Sequence, residues 1–152
     1  MPDFRKRRQL ARFLDRSAER FADLEAPEQG WISTMRHALG MSAGHVAARK
    51  GVSRNAVYQA ERSEKDGAVS LKQMDRLAKA MGGTFVYAIV PNEPIATLKY
   101  NQAVKNARAL AALEPEFATW SEDDQADWID DTIAEQLEEH KPDFWGVDSK
   151  GS

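Results

Sequence analysis

The chain contains no cysteine. That excludes a disulfide framework, a thiol nucleophile and a cysteine-ligated zinc site, and it suits a reducing cytoplasm. No run approaches the roughly 18 apolar residues that a membrane span needs. No apolar stretch follows the basic N-terminus, as it would in a secretory signal. Histidine is scarce: His37, His45 and His140 stand apart, with no His-x3-His pair, no clustered carboxylates and no nucleophile elbow. Internal repeats and low-complexity tracts are missing too. These absences predict a cytoplasmic protein with no catalytic residues, no metal and no cofactor. At 152 residues the chain can still bury a core unaided, as one domain or as a small domain with helical extensions.

Charge is present, and segregated. The net value of -3 conceals three regions of different sign. Residues 1–30 hold seven Lys/Arg against six Asp/Glu, residues 31–91 nine against four, and residues 92–152 five against fourteen. Potential acts over about a Debye length, roughly 8–10 Å at physiological salt, so the middle region's surplus matters more than the whole-chain balance.

The pattern predicts a mainly α fold. Residues 5–24 read as an amphipathic helix, with Leu10, Phe13, Leu14, Ala18 and Phe21 recurring at three- and four-residue steps. Arg8, Arg12, Arg16 and Arg20 lie along another face, either simply solvated or laid on a DNA backbone. Residues 25–30 read as a linker. Four short helices follow: Trp31 to Leu39; a second opened by Ser42 and closed at Gly51; a third opened by Ser53 and running to about Arg62; and a fourth opened by a Ser70–Gln73 capping box and closed at Gly82-Gly83. Thr84 to Val90 reads as one β-strand between a glycine pair and Pro91. A lone strand needs a partner edge. Either a second copy supplies it across a twofold axis, through Phe85, Tyr87 and Ile89, or the segment packs as an extended arm on its own domain. Residues 95–113 read as a helix, and Ser121 with Asp124 opens another from Glu122 to His140, striped by Trp128, Ile129, Ile133 and Leu137. That acidic helix is a solvated face, a core or dimer seam, or a partner surface. The tail carries Phe144 and Trp145; its last positions are expected to lack order, and Gly151-Ser152 to be an expression scar.

The informative stretch is Ser42 to Arg62. Val46 and Ala47 face a partner helix, Gly51 supplies the positive φ of a tight inter-helix turn, and Val52 and Val57 fill the angle between the helices. Arg54, Asn55, Tyr58, Gln59 and Arg62 then occupy the outer face of the third helix, the one a helix-turn-helix inserts into the major groove. Arg can bond both acceptors of a guanine edge, and Asn or Gln can do the same for adenine. These residues, with Tyr58 for a thymine methyl or a phosphate, are the base-reading candidates. Ser42, Arg49, Lys50, Ser53 and Arg62 are the phosphate candidates.

The spacing Ser-x3-Val-Ala-x3-Gly-Val-Ser-x3-Val-x3-Glu resembles the lambda-repressor-like (Cro/cI-type) helix-turn-helix family over about residues 31–82. The resemblance implies base reading by Arg54, Asn55 and Gln59, and a partly buried ion pair between Arg36 and Glu61. Two positions depart from the pattern: Ala43 stands where a phosphate-binding Gln is common, and Lys50 where an apolar residue is usual, which implies a looser turn or an extra phosphate contact. A longer resemblance, through Gly30-Trp-Ile-x3-Arg36-x-Ala-Leu-Gly-Met-Ser42, Glu64-Lys-Asp-Gly-Ala-Val-Ser-Leu-Lys72 and Phe85-Val-Tyr-Ala-Ile-Val-Pro91, is to the mobile mystery protein A family. It implies a mobile-element regulator encoded beside a Fic-domain protein as a toxin–antitoxin pair. The inhibitory motif of Fic antitoxins, Ser/Thr-x3-Glu-Gly/Asn, is absent.

The expected organisation is an N-terminal helix and linker over 1–30, a helix-turn-helix domain over 31–83, a dimerisation strand over 84–91 and an acidic helical region over 92–152. The expected function is a homodimeric repressor that binds double-stranded operator DNA and autoregulates a mobile-element or toxin–antitoxin operon. The alternative is an antitoxin whose helical arms neutralise a Fic-domain partner directly. A DNA-free scaffold and an architectural binder without operator preference are the blander readings. No membrane role is expected.

Overall fold

The computed structural model describes residues 2–146, so the expectation for Gly151-Ser152 lies outside the described residues. The described residues form seven α-helices and one 3-10 turn, and none of them is in a β-strand. They cluster into two compact units. One comprises residues 22–89; the other joins residues 1–21 to 90–152. The stretches read from the sequence therefore regroup: the N-terminal helix falls with the helices after residue 94, and residues 25–30 with the helices of 31–83.

In the unit of residues 1–21 and 90–152, α1 is Phe4–Phe21, α6 is Ile95–Leu113 and α7 is Glu122–Glu139, with a 3-10 turn at Phe117–Thr119 before α7. Ala103 and Ala107 of α6 are buried against Ile133 of α7 and Phe144 of the tail. Small residues at this spacing let helix axes approach closely. Two buried amides are satisfied in a chain: Gln102 Nε2 donates to Asn106 Oδ1 (3.1 Å), and Asn106 Nδ2 donates to the Phe144 carbonyl (2.8 Å). The tail aromatic is thus a core residue held by a side-chain amide. Ser121 opens α7 by accepting from the Asp124 N–H. Asp15 of α1 accepts from the Ile95 N–H at 3.0 Å and so caps α6, which Pro94 cannot do with its own side chain. The stripe expected on the first helix is only half used. Leu14, Ala18 and Phe21 are half-buried, whereas Leu10 and Phe13 are exposed, because the covered face runs through Ala11 and Leu14 instead. On α7, Leu137 is likewise exposed and Thr132 buried.

In the unit of residues 22–89, α2 is Trp31–Ala38, α3 is Ala43–Lys50, α4 is Arg54–Lys65 and α5 is Leu71–Ala80. Their apolar residues recur at three- and four-residue steps: Ala43, Val46 and Ala47; Val57 and Ala60; Met74, Leu77 and Met81. These interlock with Ile32 into one core. Each of α3, α4 and α5 starts at a serine whose Oγ accepts from the N–H three residues on: Ser42 from His45, Ser53 from Ala56 and Ser70 from Gln73. The α3 cap is reciprocal, since His45 Nδ1 accepts from the Ser42 N–H at 3.0 Å. The expected α5 box is not: Gln73 turns its Oε1 to Lys50 Nζ (2.6 Å) rather than back to Ser70.

Helix α2 has no capping serine. Gly30 precedes it at φ 86°, and its first amides, Trp31 N–H and Ile32 N–H, donate to the carboxylate of Glu64 on α4. A Cβ at Gly30 would lie 3.0 Å from that carboxylate, so the glycine serves both the backbone angle and the approach. Glu64→Ala should cost about 1–2 kcal/mol by stranding two helix amides and removing a negative charge from the helix's positive end. Urea unfolding reads this, and Glu64→Gln should retain part of it because a neutral oxygen still accepts.

The strand expected over 84–90 is not formed in the single chain. Phe85 packs against the core, and its ring stacks on Tyr87 at 5.8 Å, the same-side relation of residues two apart on an extended backbone. The backbone groups of 84–90 make no ladder among the described residues. The sequence pattern favours a strand, but a strand exists only with an edge to pair with.

Candidate nucleic-acid interface

Helices α3 and α4 are joined by a three-residue turn. Gly51 adopts φ 71°, ψ 34°, a left-handed conformation open to glycine at little cost, and its N–H returns to the Ala47 carbonyl. Val52 N–H bonds the same carbonyl at 3.1 Å. Val57 is fully buried beneath the turn, but Val52, expected to share that role, is 38% exposed. One valine therefore fills the angle between the helices, while the other faces solvent.

Position along α4 sorts its side chains by face. Val57 and Ala60 point inward, and Arg54, Asn55, Tyr58, Gln59 and Arg62 are all exposed. The two acids of α4 are turned away from that face and used internally. Glu64 caps α2, and Glu61 binds Arg36 of α2 through two contacts, Nε–Oε1 at 2.6 Å and Nη2–Oε2 at 3.3 Å. The side chains of this ion pair are 9% and 13% exposed. Arg36 Nη1 also donates to the Met41 carbonyl, and its guanidinium lies 5.8 Å from the Tyr58 ring centroid. The hydrogen bond to Glu61 holds the Arg36 pKa above its usual value, against the opposing effect of burial. Thus α4 presents Arg54, Arg62 and Lys65 outward, while Glu61 and Glu28 line the hollow beside Arg62 and Lys65.

The phosphate candidates differ in availability. The hydroxyls of Ser42 and Ser53 use an acceptor position for capping, which leaves each O–H free to donate to a phosphate oxygen. Arg49 is exposed, and its Nη1 makes a long contact with the Ala80 carbonyl at 3.4 Å. Lys50 is half-buried on Gln73, and burial, then the neighbouring charge of Arg76, lowers its pKa. Its ammonium therefore links α3 to α5. Arg62 Nη2 donates to Gln59 Oε1 at 3.0 Å, joining a phosphate candidate to a base-reading one. The Arg54 guanidinium lies over the first turn of α3, where a Cβ added at Gly44 would meet its Nε and Nη2 at 3.5 Å. Ala43 is buried in the core, so position 43 has no outward side chain with which to replace the phosphate-binding Gln.

Sequence reasoning missed three residues here: His45 as half of a capping box, Glu64 as a cap for α2, and Gln73 as the acceptor for Lys50. The first was legible as a residue three after a capping serine. The other two join residues 32 or 33, and 23, apart and leave no local signal. Among the described residues, no group of three His, Cys, Asp or Glu side chains could hold a metal, and no helix is long and apolar enough to cross a membrane. No family model, curated protein or solved structure matches this chain.

Proposed function

We propose that the protein is a homodimeric, sequence-specific repressor that places α4 in the major groove of operator DNA and autoregulates its own mobile-element or toxin–antitoxin operon. The observation that carries this reading is the outer face of α4: five exposed polar side chains suited to base edges and phosphates, with both acids of the helix turned inward. The same face would suit an acidic protein, but Asn55 and Gln59 among the arginines match base edges, which a purely electrostatic surface would not need. In the dimer, two copies of α4 address half-sites about 34–36 Å apart, one turn of B-DNA. Footprinting the purified protein on the DNA upstream of its own gene tests the proposal. A protected inverted repeat is expected, with scrambled duplexes bound at least about 1,000-fold more weakly. Equal affinity for both duplexes would leave only an architectural binder.

A second reading, direct neutralisation of a Fic-domain toxin, draws on α1. Phe4, Leu10 and Phe13 are exposed there among Arg5, Lys6, Arg8 and Arg12. Deleting α1 and, separately, residues 92–140, then scoring toxin rescue and repression in parallel, divides the two roles.

A further inference from the structure

The segment 84–90 combines free backbone with exposed apolar side chains: Val86 is 65%, Tyr87 70% and Ile89 87% exposed. Residues 84–91 carry no charge, so two copies can lie side by side without setting like charges opposite each other. Symmetry then limits the register. A twofold axis normal to an antiparallel pair maps each face onto itself, and directly opposed residues share a face. Opposed positions must therefore differ by an even number, and the axis passes beside a residue, not between two. Gly83, with little to pack, and Pro91, without an N–H, bound the segment equally on either side of Tyr87.

We infer that two copies pair antiparallel with the twofold axis at Tyr87, and that Ile89 of each enters an apolar pocket of the other. This rests on the dimeric reading above. In that register the partner's Ile89 stands opposite Phe85, on the face that Phe85 turns to its own core. Beside Phe85 lies a pocket of ≈ 280 Å³ lined by Leu24, Trp31, Met35, Met74 and Val86 among others. An aromatic residue facing a β-branched one is a favourable cross-strand pair. The pocket gives the most exposed side chain of the segment somewhere to leave water. Seven backbone pairs and the exposed side chains of both copies bring on the order of 1,000 Å² into contact, the lower bound for a specific interface.

A chain without cysteine makes the test direct. Opposed Cα atoms in an antiparallel pair are about 4.5–5.5 Å apart, within disulfide reach, whereas diagonal positions lie about 7–8 Å apart, beyond it. Under mild oxidation Tyr87→Cys should convert to a covalent dimer at least about tenfold faster than Val86→Cys or Ala88→Cys. Ile89→Ala should raise the dimer dissociation constant roughly 100-fold, since each dimer loses two buried side chains. Sedimentation equilibrium on the unsubstituted protein separates the levels. If the protein is monomeric, the dimeric reading itself falls. If it is dimeric but links faster through position 86 or 88, or not at all, the Tyr87 register falls. If Ile89→Ala leaves a dimer unchanged, the pocket assignment falls.

Discussion

Arg36→Met should lower the stability of the unit of residues 22–89 by about 3 kcal/mol, by breaking its partly buried ion pair with Glu61. Breaking a buried ion pair costs about 3–5 kcal/mol because the remaining charge stays desolvated; the lower end applies where both partners keep some contact with water. Three contacts go at once: the two-point grip on Glu61, the bond to the Met41 carbonyl and the stacking on Tyr58. Arg36→Lys should rescue little, since an ammonium cannot reproduce a planar fork. Arg36→Met with Glu61→Leu should recover most of the loss, because replacing both ions by apolar groups removes the stranded charge. The readout is urea unfolding combined with amide exchange at Val46 and Ala47, buried in α3, which localises the effect to this unit. The sign with pH follows from the raised Arg36 pKa. Stabilisation by a base with a raised pKa is complete below its unfolded value and is lost only as pH rises through the folded one. Moderate alkali should therefore leave the pair intact. A loss under about 1 kcal/mol would reduce the pair to the standing of a surface salt bridge.

Such a pair was open to reading from the sequence only through resemblance, because nothing local joins residues 25 apart. What was legible locally was punctuation. Ser42, Ser53, Ser70 and Ser121 each cap the helix expected of them, because a capping serine acts on an amide three residues away, inside the window that a pattern spans. Gly51 was legible for a similar reason: a left-handed residue in a tight turn is a local demand. Long-range pairing left no such trace. Glu64 reads as one acid among several on α4 until α2 is folded against it, and Asp15 reads as an offset to nearby arginines until α6 arrives at its carboxylate. The exposure of Val52, Leu10 and Phe13 follows from which side of each segment meets a neighbour, which periodicity alone does not decide. The strand is the opposite case. Its residues suit a sheet so well that composition pointed to one, yet half of any two-stranded sheet must come from elsewhere.

The largest expected change in binding comes from Arg54→Ala. Arg54 stands at the first turn of α4, the end of a recognition helix that enters the groove furthest. A bidentate contact to guanine contributes about 1–3 kcal/mol, and a dimer makes it twice, so operator affinity should fall by roughly 30-fold to 20,000-fold. Affinity for scrambled duplex should fall far less, because the phosphate contacts remain. The preference at one position of each half-site should relax. Arg49→Ala should behave differently: all sequences weaken together, and the dependence of log affinity on log salt flattens by about 2, one phosphate per copy. Lys50→Met supplies the internal control. Its ammonium is held on Gln73 and disfavoured by burial, so replacing it should leave the salt slope unchanged. Gel-shift titrations of operator and scrambled duplex at several salt concentrations measure all three. Should Arg54→Ala weaken both duplexes equally, Arg54 contacts phosphate, and reading of the base edge passes to Asn55 and Gln59. Should it change neither, α4 is not in the groove. The three substitutions divide the surface by what each side chain is free to do: Arg54 is exposed at the leading end, Arg49 is exposed at the edge, and Lys50, adjacent in sequence to Arg49, is half-buried and tied to Gln73.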